Sequence, residues 1–315
     1  MVMSQAPSPR IHRRELLFRA FIALLYLVII LPIPAHAEPG EVQKLAPGVF
    51  VWQGDRDKRE PANCMWVIFK DYVVVIDANF PWAAREILTK IKETTDKPIR
   101  YVLNTHYHSD HSFGNSIFTD AGATIVNSEA TDAETRASKG FAAWNDSAHP
   151  LTGAHQEYAN ITFSDRLVFD DGTQRVEMIR LGPAHSKGDS VAYLPKQKIV
   201  ATGDLCVTWG FGNNVGDPGA SYAGWLSALD RMVGWEVQTV VPGHGAVSGL
   251  EALRVQRDYL SAMRDQVQDG MRAGKSADQL ATEVDLRKYG FIASDRPANA
   301  ISVRAMYRHL GSGNP

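Results

Sequence analysis

Apolar residues along the chain follow two different spacings, and each spacing predicts one kind of secondary structure. The segments GVFVWQG, MWVIFK, YVVVIDA and IRYVLN are short alternating or continuous apolar runs, which are typical of β-strands. Asp71 separates MWVIFK from YVVVIDA, and this break predicts a hairpin. In WAAREILTKIKETT, the residues Ala83, Ile87 and Ile91 lie four apart, which predicts an amphipathic helix.

The second half of the chain repeats this pattern and then becomes helical. RVEMIRL, SVAYLP, KIVATGD and VQTVVPGH predict strands, and YAGWLSALDRMVGW predicts a helix between the last two. Beyond residue 249, Leu253, Leu260, Met263 and Val267 lie on one helical face, and further helix is predicted to about His309. Hairpin-ordered strands mixed with helices predict a layered α/β (α+β) domain with the C-terminal helices packed on it.

The first 37 residues have the composition of a secretory signal peptide. A basic segment containing Arg10, Arg13, Arg14 and Arg19 precedes and enters the apolar run AFIALLYLVIILPIPAHA. Because this run ends in an A-x-A pattern, we expect cleavage after Ala37, a periplasmic or secreted protein, and no stable membrane insertion after cleavage. The alternative is an uncleaved anchor, which the short run and its prolines disfavour. The Arg13-Arg14 pair leaves twin-arginine export open.

Composition narrows the possible partners. The chain has 315 residues, a formal net charge of −2, 44% apolar and 22% charged residues, as in ordinary soluble enzymes. Since no Lys/Arg-rich run follows the N-terminus, we expect a small-molecule substrate and no nucleic acid; the oligomeric state stays open. Cys64 and Cys206 permit a single disulfide, but we favour two free, buried thiols.

Three histidines and one aspartate fall within six residues of NTHYHSDHSFGN, directly after the strand IRYVLN. In an extended segment, His106 and His108 point the same way, so both rings can reach one ion. Asp110 and His111 follow on a turn and can face a neighbouring position. A lone histidine is usually a polar or capping residue, whereas this spacing of ligand types is typical of a zinc site.

Three further strands end in a Gly- or Pro-containing turn with a ligand-type side chain: His185, Asp204 and His244. Loops at one edge of a sheet are common places for functional sites. Counting ligands then predicts two metal ions, with His106, His108 and His185 on one, Asp110, His111 and His244 on the other, and Asp204 bridging both. Among the other histidines, His12 and His36 belong to the predicted signal, and His149, His155 and His309 are expected on the surface or in loops.

The motifs THYHSDH, GPAHSKGD, TGDLC and VPGHG resemble, in order and spacing, those of the metallo-β-lactamase superfamily. The resemblance runs from about Leu45 to Gly249 and implies an αββα sandwich. It also implies that Asp77, in VVVIDANFPW, supports the metal-binding loop from behind. We therefore expect a signal peptide over 1–37, a metallo-β-lactamase domain over 38–249, and a C-terminal helical extension of the same domain over 250–315.

Within the superfamily, the residues favour two different branches. The stretch GNNVGDPGASYAGWLSALDRM resembles class B1 β-lactamases, and on that alignment Asn214 takes the place of their substrate-binding Asn. Three positions depart from that class. Where this chain has Asp204, the class has a Cys ligand; where it has His111, the class generally has another residue; and where it has Val207, the class often has Lys. The full HxHxDH motif with a bridging Asp resembles glyoxalase II, lactonases and general hydrolases. The lactonase-type Tyr after Asp204 and the glutathione-binding residues of glyoxalase II are absent.

The resemblance implies hydrolysis by a hydroxide held between two Zn²⁺ ions, with an ester, lactone, thioester or lactam as substrate. In this interpretation Asp110 orients the nucleophile, and Asn214 donates to the oxyanion, unless it is only a turn residue. Trp209 and Phe211 are expected either to line the pocket or to be buried. The alternatives are a β-lactamase proper, an iron-dependent redox protein on the same fold, and a non-catalytic metal-binding protein; zinc itself is not fixed by ligand type.

Overall fold

A computed structural model describes residues 38–209, 216–293 and 296–311. Among these residues, the strands form one seven-stranded and one five-stranded sheet. The larger sheet contains, in spatial order, β1 (Val42–Ala46), β2 (Val49–Trp52), β3 (Cys64–Ile68), β4 (Val73–Ile76), β5 (Ile99–Leu103), β6 (Thr124–Ser128) and β7 (Ile161–Phe163). Strands β1 to β4 pair antiparallel, and β4 to β7 pair parallel. The hairpin predicted around Asp71 is confirmed by the pairing of β3 with β4.

The smaller sheet has the order β12, β11, β10, β9, β8. Its strands are β8 (Arg166–Asp170), β9 (Arg175–Arg180), β10 (Ser190–Leu194), β11 (Ile199–Ala201) and β12 (Thr239–Val241). Strands β8 to β11 are antiparallel, and β11 pairs parallel with β12. This parallel pair brings the turns after β11 and β12 to the same edge, where they carry Asp204 and His244.

The described helices lie in two groups along the chain. The first group is α1 (Pro81–Thr94), α2 (Ser109–Ser112), α3 (Asn115–Thr119) and α4 (Glu129–Ala137). The second group is α5 (Tyr222–Val233), α6 (Glu251–Arg272), α7 (Ala277–Glu283) and α8 (Arg296–Gly311). The helix predicted from the four-residue spacing is α1, which buries Ala83, Ile87 and Ile91. Among the described residues, none of the helices combines the length and apolar character that a membrane span requires.

Three apolar layers explain why β4 reads as a continuous apolar run. Val74 and Ile76 pack between the two sheets, whereas Val73 and Val75 face α1 on the outside of the larger sheet. Because both faces are covered, polar alternation is lost. On the outside of the smaller sheet, Trp225 of α5 packs in one cluster with residues of α6 and α8. The resulting order of helix, sheet, sheet, helix is the expected αββα sandwich.

The two cysteines are buried and not disulfide-bonded, as expected from the sequence. Cys64 lies in β3 and Cys206 follows the short 3-10 turn Gly203–Leu205. Residues 1–37, which carry the predicted signal peptide and its histidines, lie outside the described residues.

Candidate metal centre

The ligand-bearing loops follow four strands that end at one edge of the sandwich. His106 and His108 follow β5, and Asp110 and His111 lie in α2. His185 follows β9. The loop after β5 is held by reciprocal amide bonds between Asn104 and Asn115, at 2.8 and 3.1 Å, and Asn104 also donates to the His111 carbonyl at 3.0 Å. These bonds fix the loop independently of any metal.

Three histidine nitrogens converge in the first predicted group. His108 Nδ1 lies 3.0 Å from His106 Nε2 and 3.0 Å from His185 Nε2. Asp204 Oδ2 lies 3.6 Å from His185 Nε2. A single proton can join two ring nitrogens, but it cannot satisfy three that meet at one point. A cation at the centre would satisfy all of them, so this donor set fits a metal ion such as zinc.

The second predicted group lies beside the first and shares Asp204 with it. His111 Nε2 and His244 Nε2 are 3.3 Å apart, and Asp110 Oδ2 lies 3.4 Å from His244 Nε2. Asp204 Oδ1 lies 3.2 Å from His111 Nε2 and 3.0 Å from His244 Nε2, while its other oxygen faces the first group. The structure thus brings all seven predicted ligands together in two groups. Within each group, the ligand atoms lie within 4.8 Å of one another. Cys206 belongs to neither group.

The pKa values of three buried ligands favour the metal-binding form. Burial, and then the neighbouring His111, lowers the pKa of His106 well below its ordinary value. Burial and the nearby His108 lower the pKa of His185 to about 4. Burial would raise the pKa of Asp204, but His244 and His111 outweigh it and hold this pKa well below the ordinary value. Neutral imidazoles and an ionised carboxylate are the forms that bind a cation. Against the lowering effect of burial, neighbouring carboxylates instead raise the pKa values of His108, His111 and His244.

Asp77 connects the two groups from behind, in the position that the resemblance implied. It is almost fully buried, and Thr105 donates to it from its backbone N–H at 2.7 Å and from its hydroxyl at 2.8 Å. Its Oδ2 also lies 2.9 Å from His111 Nδ1, and the Thr105 hydroxyl lies 3.1 Å from His106 Nδ1. These contacts keep both Nδ1 atoms protonated and leave both Nε2 lone pairs facing the centre.

Asp217 is a supporting residue that the sequence analysis missed. Its Oδ2 lies 2.8 Å from His108 Nε2 and accepts a bond from the Tyr107 hydroxyl at 2.7 Å. These bonds hold the pKa of Asp217 at about 2, against the opposing effect of burial. The two partners are 109 residues apart, and the only local signal is an Asp-Pro turn in a Gly-rich stretch. His244 Nδ1 has a similar partner in the Pro61 carbonyl at 2.9 Å, which sequence reasoning also missed.

Both groups open onto a cavity of about 730 Å³. Its lining residues are Arg56, Arg59, Pro61, Phe80, His108, Ser109, Asp110, Trp144, Asp204, Val207, Trp209 and His244. Trp209 therefore lines the pocket, where its ring stacks on His244 at 5.0 Å. Asn214 and Phe211 fall in 210–215, outside the described residues, so their roles stay predictions. His149, His155 and His309 lie outside both ligand groups.

Comparison with known proteins identifies the family. A model of the metallo-beta-lactamase superfamily matches residues 57–244, a range that contains all seven predicted ligands. The chain belongs to the metallo-beta-lactamase superfamily. The chain therefore has a hydrolase-type fold with a metal-binding His/Asp cluster.

The relatives of this chain include both alkylsulfatases and metallo-beta-lactamases. A linear primary-alkylsulfatase of Pseudomonas sp. (strain ATCC 19151) is 24% identical over 64% of this chain and 46% of its own length. The chain therefore spans about half the length of that relative. A metallo-beta-lactamase type 2 of Bacillus sp. (strain 170) is 26% identical over 59% of this chain and 68% of its own length. The solved sec-alkylsulfatase Pisa1 from Pseudomonas sp. shares the fold with a TM-score of 0.66, at 18% identity over 86% of this chain and 50% of that one.

Proposed function

We propose that this protein is a dinuclear metal hydrolase, with zinc in both positions, that cleaves an ester, lactone, thioester or lactam. The observation that carries the proposal is the shared Asp204, whose two oxygens face two separate ligand groups. Two bound divalent ions would activate a water molecule and polarise the carbonyl that it attacks. Such a pair of ions requires His and Asp ligands and a carboxylate that bridges the two positions.

The side chains of the site support the remaining steps. Asp110 lines the cavity beside His244 and Asp204, so its carboxylate can orient the attacking water and accept its proton. That proton then passes to the leaving group as the carbonyl carbon–heteroatom bond breaks. Phe80, Trp144 and Trp209 cover the cavity wall and exclude bulk water from the reacting groups. Asn214 keeps its predicted role as a donor to the oxyanion.

Two measurements test this proposal together. Metal content of protein purified without added metal is expected to be close to two zinc ions per chain, falling in Asp204→Ala. Hydrolysis is then measured on 4-nitrophenyl acetate, dihydrocoumarin, an acyl thioester and nitrocefin, with the Asp204→Ala variant as the control for metal dependence. Iron in place of zinc, or no turnover of any carbonyl substrate by the zinc-loaded protein, would contradict the proposal.

Two further substrate classes are tested with nitrocefin from this panel and with decyl sulfate added to it. The likeness of the sequence GNNVGDPGAS to β-lactamases, together with the Bacillus relative, supports β-lactams as the alternative, and nitrocefin as the single cleaved substrate would favour it. The alkylsulfatase relative, which matches 64% of this chain, supports sulfate esters, which decyl sulfate tests.

We also propose that the protein is exported and that residues 1–37 are removed. The support is the basic segment, the apolar run and the Ala35-His36-Ala37 pattern. N-terminal sequencing of the protein from a periplasmic fraction should begin at Glu38. A mature N-terminus that retains the apolar run would instead support the membrane anchor.

A further inference from the structure

A short hairpin tip, residues 56–59, stands at the mouth of the metal-site cavity. Its base is closed by two backbone bonds between Asp55 and Glu60, at 2.7 and 2.8 Å. The Asp55 carboxylate also accepts from the backbone N–H groups of Asp57 and Lys58, at 3.0 and 3.3 Å. This closure fixes the backbone of the tip and therefore the direction in which its side chains leave it.

Two arginines of this tip line the cavity, and each is oriented by a contact of its own. The Arg56 guanidinium lies 5.8 Å from the centre of the Trp209 ring. Arg59 Nη2 lies 3.0 Å from Asp146 Oδ2, and the Arg59 carbonyl accepts from the Trp82 indole at 3.2 Å. A guanidinium carries five N–H donors in a planar fork, so an ion pair through one nitrogen leaves donors that can bind a second anion.

The rest of the cavity has two chemically different surfaces. An aromatic wall is formed by Phe80, Trp144 and Trp209, with the Phe80 and Trp144 rings 5.3 Å apart. The floor carries Asp110 and Asp204, both of which belong to the metal-ligand groups. Once divalent cations are bound, the charge of these carboxylates would be offset, and Arg56 and Arg59 are the Lys/Arg side chains among the lining residues.

We propose that Arg56 and Arg59 form an anion-recognition site, and that the substrate is therefore an anionic molecule with an apolar or aromatic body. The anionic group contacts the two guanidinium groups, the apolar body lies on the aromatic wall, and the scissile bond reaches the ligand groups below. Only the statement that the scissile bond reaches the ligand groups rests on the proposed hydrolase function. The arrangement of arginines and aromatic wall defines the binding preference by itself.

The first experiment compares two esters that differ in one charge. The anionic ester is 4-nitrophenyl hemiglutarate, and its neutral partner carries a carboxamide in place of the free carboxylate. The double variant Arg56→Gln/Arg59→Gln is expected to lose about tenfold in kcat/KM on the anionic ester, as for the loss of one hydrogen bond to a charged group, and to change little on the neutral one. Lys58→Gln removes one positive charge from the same tip at a residue that does not line the cavity, and it is expected to retain the preference.

A second variant separates charge from loop structure. Arg59→Gln also breaks the pair with Asp146, which could displace the loop that carries Trp144. Asp146→Asn breaks the same pair but keeps the arginine, so it should retain or increase the preference for the anionic ester. A loss of preference in Asp146→Asn equal to that of the double variant would overturn the proposal in favour of a purely structural role.

The third measurement does not depend on catalysis. Calorimetric titration of the purified holoprotein compares 4-phenylbutyrate with its neutral analogue 4-phenylbutanamide. Direct binding of the carboxylate to a metal survives in the double variant, so the part of the preference that disappears there belongs to the arginines. If neither ester is cleaved but this binding preference is lost in the double variant, the hydrolase proposal fails and the anion site stands. If the esters are cleaved and the double variant keeps the full preference, the anion site is wrong and the hydrolase proposal stands.

Discussion

Replacing Asp77 by Asn should weaken metal binding without changing the shape of the site. Asp77 has a positive φ of 59°, which Asn tolerates better than most residues, so the backbone is not newly strained. The backbone N–H of Thr105 requires an oxygen at the Oδ1 position, so the amide NH₂ of the variant must occupy the Oδ2 position. There it faces the Thr105 hydroxyl and His111 Nδ1.

A donor at the Oδ2 position reverses the hydrogen bonds behind both ligand groups. His111 Nδ1 must then accept, which moves the ring proton to Nε2, the atom that faces His244 and Asp204. Loss of a partner behind a metal ligand typically costs 10- to 100-fold in affinity, or about 1.4 to 2.8 kcal/mol. We expect a decrease in zinc affinity within this range.

A chelator-competition titration with a zinc indicator measures this change directly. Asp71→Asn is the matched control, since it makes the same substitution at an exposed turn residue six positions earlier. Circular dichroism of both variants checks that the fold is retained. Zinc affinity of the folded Asp77→Asn protein within about threefold of the parent would refute the tautomer argument, because 10-fold is the least that such partners typically contribute.

Three further predictions concern the surroundings of the site. Asp217→Asn should lower zinc affinity by about tenfold or more in the same titration. Tyr107→Phe removes a bond to Asp217 but keeps the contact between Asp217 and His108, so it should lower zinc affinity less. Gly188→Ala places a Cβ 2.3 Å from the backbone nitrogen of Thr131, so the free energy of unfolding measured in urea should fall by about 1–3 kcal/mol, whereas Gly234→Ala, with no atom nearer than 3.4 Å, should change it far less. Chelation of the metal should lower the melting temperature at constant pH, since free metal at 100 times its Kd contributes about 2.7 kcal/mol; an unchanged melting temperature would mean that the native state gains nothing from the metal.

Strongly patterned segments could be predicted from sequence because their environment is uniform along their length. The run VVVI of β4 is buried on both faces, and the helix α1 has a single apolar stripe. Strands β1, β6, β7 and β8 were not predicted, and β6 was missed although it is largely buried. For β1 and β8 the reason is that neither strand has a fully buried face. The burial of β8, Arg166–Asp170, alternates only between exposed and half-buried, because β8 lies at the edge of the smaller sheet.

The candidate ligands could be found from sequence because each one follows a strand or stands in a dense local motif. Contacts across the fold carry no such signal. Asp217 reaches His108 over 109 residues, and Pro61 reaches His244 over 183. The tip residues Arg56 and Arg59 are ordinary turn residues in sequence, and only the packing of the tip against Trp209 and Asp146 brings them to the cavity.

The contacts behind the ligands imply that the scaffold, and not the metal, sets the geometry of the centre. Asn104, Asp77 and Asp217 hold the histidine loop through bonds that no cation takes part in. The scaffold therefore holds ring nitrogens 3.0 Å apart in a buried site, where three lone pairs cannot all be satisfied by protons. A bound cation would satisfy these lone pairs together. The metal is consequently expected to stabilise a site that is already formed, and its removal should destabilise the protein without unfolding the sandwich.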